Sequence, residues 1–204
     1  MVQGVIIEDG CLVNTNPATG EVISRVKCTL PEEVDSMVAV ANEAQETWAA
    51  TPLADRIKML KAGVAAVMAQ SDQFCELIVK EMGKPMAEAE EEMEEHANMD
   101  EFFQILEGSL QPQTFGSSVV VRHALGVVAI LSPWNYPVGE IVLLALPSLA
   151  SGNTGKFEVD LLRIRSLQLL QDPYTNPSAF IIFHPLFQSL SNLLKSSRKQ
   201  APCS

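Results

Sequence analysis

The sequence predicts an α/β fold whose parallel sheet begins only near the end of the interpretable pattern. Along the 204 residues, the order of elements is a β-rich hairpin, four helices, two strands and the start of a strand-turn-helix unit. The nearly all-apolar strand GVVAIL leads through SPWNYP into an apolar helix that closes on Gly152. A buried strand followed at once by a helix is typical of a doubly wound parallel sheet.

The N-terminal thirty residues predict a hairpin. The β-rich runs GVIIEDG and CLVNTNPATGEVISRVKC are interrupted by Asn16, Pro17 and Gly20, which favour turns. A capping-box pattern from Thr29 to Glu32, with Pro31 in the first turn, then begins an amphipathic helix whose apolar residues continue at helical spacing to Trp48.

Three further helices are predicted. The second carries Ile57, Leu60 and Val64 on its apolar face, and the third begins near Ser71 and ends at Gly83-Lys84-Pro85. The fourth is predicted to run from Pro85 to Gly108. Its dense carboxylates are typical of a solvated face, although such a run can also hold a cation; they are Glu88, Glu90, Glu91, Glu92, Glu94 and Glu95.

Two β segments, SSVVVRH and GVVAIL, follow on either side of 124–126, and the apolar helix is predicted from Pro137 to Ser151. This last helix has little polar face, so it is suited to burial on both sides. Unless the tail or a partner covers it, we expect the chain to fold poorly or to associate.

Composition limits the classes of function. The net charge of −11 argues against nucleic-acid binding. No apolar run reaches the roughly 18 to 20 residues of a membrane span, and the N-terminus lacks a signal-peptide pattern, so a cytoplasmic location is expected, or an organellar one if a targeting peptide is missing. The four cysteines are far apart and favour reduced structural thiols, and no metal site is predicted.

The turn Ser132-Pro133-Trp134-Asn135 stands where a parallel sheet binds ligands, at the carboxyl end of a strand and the start of a helix. An Asn at this point can direct its side-chain amide at developing negative charge and so stabilise an oxyanion. The alternative is an ordinary loop in which Asn135 only forms the turn.

The segment GVVAILSPWNYPVGEIVLLALPSLASGNT, together with NPATGEVISRV and KEMGKPMAEAEEE, resembles the aldehyde dehydrogenase superfamily over residues 11–154. The resemblance implies the N-terminal part of that fold: a helical region, strands of an oligomerisation arm near 117–125 that include Val119 to His123, and a first cofactor-domain strand at 126–131. It also implies NAD- or NADP-dependent oxidation of an aldehyde through a Cys thiohemiacetal.

The resemblance implies site residues as well. Asn135 matches the oxyanion-hole Asn, and Leu131, Ser132, Pro133 and Trp134 match the loop that borders the cofactor. Glu81, in KEMGKP, lies at a helix end of the N-terminal region and is expected to be structural.

The pattern departs from the family after Thr154. Glu158 stands where the family has a Lys that contacts the cofactor ribose, Lys156 comes two positions too early, and GKFEVD is not expected to form the second strand. No later segment matches the family's nucleophile or base, and the terminal Cys203 lacks a site that favours its thiolate.

These departures predict an aldehyde dehydrogenase region at 1–154 and an unrelated, disordered or partly helical tail at 155–204. Acidic residues outnumber basic ones 22 to 8 in residues 1–155, whereas basic residues outnumber acidic ones 6 to 3 in 156–204. We expect such a truncated isoform to be inactive alone and to bind NAD or NADP weakly. The alternatives are an interaction protein that joins full-length subunits and, less favoured, a tail that contacts membranes. The sequence does not identify the aldehyde.

Overall fold

A computed structural model describes residues 6–132 and 135–159; at 131–132 and 156–159 it describes the backbone. The elements are β1 Ile7–Glu8, β2 Cys11–Thr15, β3 Val22–Lys27, α1 Pro31–Ala50, α2 Leu53–Met68, α3 Ser71–Met82, α4 Met86–Glu94, α5 Asp100–Leu110, β4 Gln113–Phe115, β5 Ser118–Val120, β6 Val127–Ser132, α6 Gly139–Ala150 and β7 Thr154–Val159.

The predicted N-terminal hairpin is confirmed, and β1 extends it to an antiparallel sheet of order β1-β2-β3. The sheet is joined to α3 by a buried polar contact, because Asn14 Nδ2 donates to Glu81 Oε1 over 2.9 Å. Glu81 is only 1% exposed, in keeping with the structural role expected for it. The turn also meets the end of α3, where a Cβ added to Gly83 would lie 3.0 Å from Pro17 Cγ.

The helix starts agree with the sequence prediction to within one or two residues, with one correction at α1. Its N-cap is Leu30 rather than Thr29, and Glu33 rather than Glu32 accepts a hydrogen bond from the Leu30 N–H, over 2.8 Å. Lys27 Nζ lies 3.0 Å from the same carboxylate, at Oε1. The capping box was therefore placed one residue too early, since the Lys27–Glu33 pair also contributes to the choice of carboxylate.

The prediction of one continuous helix from Pro85 to Gly108 is wrong. The segment forms α4 and α5, separated by a turn at 95–99. Asn98 Oδ1 accepts a hydrogen bond from the Asp100 N–H at 3.3 Å, and this bond between a side chain and the backbone competes with continuation of the helix.

The parallel sheet differs from the prediction at its second strand. Thr154–Val159 forms β7, which pairs in parallel with β6 from Val127↔Thr154 to Ser132↔Val159. The expectation that GKFEVD does not form this strand is therefore wrong. Phe157 and Val159 alternate with Lys156 and Glu158, and this is the period of a strand.

The antiparallel pair β4 and β5 accounts for the predicted arm strands, although β4 was not predicted and β5 ends at Val120. Within the described part of the chain, no helix is long and apolar enough to cross a membrane.

The core lies in two clusters. The larger packs α6 and β6 against α1, α2 and α5, and it contains Trp48, Ile57, Leu60, Met99, Phe103, Ile130, Val142, Ala145, Leu146, Leu149 and Ala150. The smaller joins α3 and α4 to the start of α6, and it contains Phe74, Cys75, Ile78, Ala89, Met93 and Val138. In α6, Leu143 and Leu144 remain 57% and 40% exposed among the described residues, so its burial on both sides is incomplete there.

The C-terminal end of α6 is held by polar side chains of the helical region. Trp48 Nε1 donates to the Leu149 carbonyl at 2.9 Å, and Arg56 Nε donates to the Ala150 carbonyl at 3.0 Å. Burial lowers the pKa of the Arg56 guanidinium. These bonds satisfy carbonyls that a helix end leaves without intrahelical partners.

Asn153 connects the end of α6 to the start of β6. Its Oδ1 accepts from the N–H groups of Leu125 and Gly126 at 2.6 and 3.0 Å, and its Nδ2 donates to Ser148 O and Ser151 Oγ at 3.1 and 2.8 Å. The side chain therefore fixes where the first parallel strand begins.

We expect Asn153→Ala to lower the free energy of unfolding by about 2 to 4 kcal/mol, because two partly buried N–H groups lose their acceptor. Urea denaturation monitored by circular dichroism checks this. The control is Asn98→Ala, whose exposed side chain accepts one backbone bond and should cost about 1 kcal/mol or less. Equal losses in the two variants would contradict the connecting role of Asn153.

Candidate functional site

The residues that the sequence assigns to a site lie at the carboxyl end of β6. Leu131 and Ser132 are its last two residues, and their backbone partners in β7 are Glu158 and Val159. Pro133 and Trp134 lie outside the described residues. Asn135 follows, four residues before the first residue of α6.

Asn135 combines an exposed side chain with an anchored backbone. Its carbonyl oxygen accepts from Lys84 Nζ at 3.3 Å. Its side-chain amide makes no hydrogen bond within the described part of the chain and is solvent-exposed. The amide is therefore available to donate to a bound group.

Lys84 is the anchor. Its Nζ lies 2.7 Å from Glu92 Oε2 and 3.9 Å from the centre of the Tyr136 ring, and its side chain is 10% exposed. The ammonium thus makes contacts with a carboxylate, a carbonyl and an aromatic face.

Glu92 binds the start of α6 as well as Lys84. Its Oε1 accepts from the N–H groups of Val138 and Gly139 at 3.0 and 3.2 Å, and its side chain is fully buried. Val138, at the N-cap, provides no capping side chain of its own. A carboxylate in this place satisfies two free N–H groups and complements the positive end of the helix dipole.

The prediction that the Glu run is a solvated face holds for five of the six residues and is wrong for Glu92. The spacing could have shown it, since positions 89, 92, 93 and 96 share one face of a helix and are all buried. Groups of three or more His, Cys, Asp or Glu that could hold a metal ion are absent from the described residues.

His96 packs beneath the same helix start. A Cβ added to Gly139 would lie 3.1 Å from His96 Nε2, so only glycine fits here without displacing the imidazole. His96 is 8% exposed, and its Nε2 has no hydrogen-bond partner in the described part of the chain. Burial lowers the pKa of His96, an effect that the nearby Glu95 and Glu92 oppose.

The described cysteines do not form a nucleophilic site. Cys75 is buried in α3, where desolvation raises the pKa of its thiol and disfavours the reactive thiolate. Cys11 is buried in β2, and Cys28 directly follows β3. Cys203 lies outside the described residues.

The comparisons with known proteins agree with this arrangement. The model of the aldehyde dehydrogenase family matches residues 8–156. A succinate-semialdehyde dehydrogenase [NADP(+)] of Deinococcus radiodurans is 29% identical over 144 residues, which make up 68% of this chain and 30% of that protein.

Solved structures show the same fold. An NAD-dependent benzaldehyde dehydrogenase from Corynebacterium glutamicum superposes with a TM-score of 0.70 at 24% identity, covering 90% of this chain and 39% of that one. A betaine aldehyde dehydrogenase from Staphylococcus aureus, in complex with NAD+, gives 0.74 at 19% identity, covering 89% and 36%. The chain therefore spans between 30% and 39% of the length of these three relatives.

The buried His96 predicts a pH dependence of stability. Its pKa is lower in the folded state than the ordinary value of about 6.5, so below that pH the unfolded state binds more protons. The free energy of unfolding should therefore fall as pH drops through about 6.5, by up to about 1.4 kcal/mol per pH unit.

Urea denaturation at pH 7.5 and 5.5 measures this contribution. His96→Gln should flatten the dependence, whereas the control His123→Gln, at an exposed position, should leave it unchanged. An identical pH dependence in the wild type and His96→Gln would contradict the assignment.

Proposed function

Because the chain belongs to the aldehyde dehydrogenase family, we propose that its described part supplies the oxyanion donor and the first cofactor-bordering strand of an NAD(P)-dependent aldehyde dehydrogenase. The reaction is oxidation of an aldehyde to a carboxylic acid through a thiohemiacetal on a Cys. In it, Asn135 Nδ2 donates to the aldehyde oxygen as the thiol sulfur attacks the carbonyl carbon.

The observation that carries this proposal is the state of Asn135. Its backbone is anchored by Lys84, while its exposed amide makes no bond within the described residues. A donor that is already oriented stabilises developing negative charge without reorganisation, and loss of one such donor typically lowers kcat about 10²- to 10³-fold.

The cofactor fits this chain only in part. NAD or NADP, when bound, accepts the hydride from the thiohemiacetal carbon. Leu131 and Ser132 place a strand end where the family borders the cofactor, but Glu158, paired in register with Leu131, brings a carboxylate where the family has a Lys. We therefore infer weak cofactor binding by this chain.

The 204-residue chain is proposed to be inactive by itself. Cys75 is held as a buried thiol, and no segment after Thr154 matches the family's nucleophile or base. An oxyanion donor without an attacking sulfur has no developing charge to stabilise.

Sequencing the transcript across the codons for Thr154 to Asp160 tests the proposal first. If a longer reading frame contains the Cys nucleophile, we expect Asn135→Ala in its product to lower kcat about 10²- to 10³-fold with little change in KM. The control Asn98→Ala should keep full activity. Unchanged kcat in Asn135→Ala would refute the oxyanion role.

The same test covers the inactivity of the 204-residue chain, which should form no NADH or NADPH from aldehydes. Turnover, or micromolar affinity for NAD in calorimetry, would overturn that part of the proposal.

A second candidate function is association with full-length subunits. The segment from β4 to the start of β6 exposes large apolar side chains, which favour a protein partner; they include Phe115 at 62%, Val119 at 57%, Val121 at 50% and Leu125 at 90% exposed.

Co-purification with an intact aldehyde dehydrogenase subunit measures this association. Val119→Lys should abolish it, whereas Ile105→Lys, a matched change at the 63% exposed Ile105 of α5, should not. Failure of the wild-type chain to co-purify would eliminate the candidate.

A further inference from the structure

We propose that Lys84 is a positioning residue, which fixes the Asn135 backbone and so the direction of its side-chain amide, with Glu92 holding Lys84 in place. The inference rests on the proposed oxyanion role for the significance of that direction. The contacts themselves do not depend on it.

Lys84 is set in place by its own backbone. It stands between Gly83, whose φ of +70° ends α3 in the left-handed conformation, and Pro85, whose φ of −57° precedes α4. Two neighbours with constrained conformations leave the Lys84 backbone little freedom. Its side chain therefore extends toward the loop from a fixed origin.

Glu92 fixes the other end of the Lys84 side chain. The 2.7 Å contact between Nζ and Oε2 involves a charged donor and a charged acceptor, both with little solvent access. The second oxygen, Oε1, is bound by the N–H groups of Val138 and Gly139. The carboxylate is thus held from both sides.

The consequence is a clamp on the turn 135–139. Lys84 binds the carbonyl of Asn135 at its start, Glu92 binds the N–H groups of Val138 and Gly139 at its end, and the buried Pro137 lies between. A turn held at both ends presents its exposed amide in one direction.

Lys84 is poorly suited to bind a ligand directly. Its three N–H donors face three partners, namely the Glu92 carboxylate, the Asn135 carbonyl and the Tyr136 ring, and the side chain is 10% exposed. Its influence on a bound group therefore passes through Asn135.

NMR of the 204-residue chain, with asparagine labelled by ¹⁵N, tests the clamp without any need for turnover. The main variant combines Lys84→Met with Glu92→Gln. It leaves no unpaired buried charge, and the Gln carbonyl still accepts from the start of α6. Only the bond to the Asn135 carbonyl is lost by design.

In this double variant, the order parameter of the Asn135 backbone amide should fall from about 0.85 to below about 0.6, while Asn153 keeps its signals. Lys84→Arg, which retains a cationic donor, should restore part of the order. The control is Lys80→Met, which removes an exposed lysine of α3 paired with Glu76 and should leave Asn135 unchanged.

A purely stabilising role would lower the free energy of unfolding while the Asn135 signals of the folded chain stayed as in the wild type. That outcome would overturn the proposal. Failure of the oxyanion role appears separately, as unchanged kcat in Asn135→Ala, so the two inferences can fail independently.

Discussion

The loop at the carboxyl end of β6 depends on one buried carboxylate. Glu92 accepts from the first N–H groups of α6 with one oxygen and from Lys84 with the other. Removing two charges from water is costly, and apolar pairs of similar volume are often as stable. What this pair supplies beyond stability is geometry, because it joins the end of α3, the middle of α4 and the start of α6 at one point.

The helical region therefore serves as a support for α6 at both ends. Glu92 and Lys84 hold the N-terminal end, whereas Trp48 and Arg56 bind carbonyls at the C-terminal end. Asn153 then connects that end to the beginning of β6. A parallel sheet with only two described strands offers α6 little surface, so side chains of distant helices supply the contacts that fix its position.

The order of elements and the strand-turn-helix unit could be predicted because they depend on local periodicity and on turn residues. The features that the sequence did not predict depend on specific tertiary contacts. Glu92 is chemically like its five exposed neighbours and differs in facing the α6 N-terminus. The strand β7 was missed because a parallel strand was expected to be apolar throughout, whereas 156–159 alternates polar and apolar residues. The break between α4 and α5 depends on a single Asn98 contact.

The geometry of the site and its chemistry have different requirements. Every described contact that fixes the turn 135–139 comes from residues 84–139, so the direction of the Asn135 amide is determined within this part of the chain. Stabilisation of an oxyanion also needs a nucleophile that generates the negative charge, and an amide donor lowers a barrier only where that charge develops. A segment that carries the oriented donor is therefore prepared for catalysis, but it acts only where an attacking thiolate and a bound hydride acceptor are brought to the same strand end.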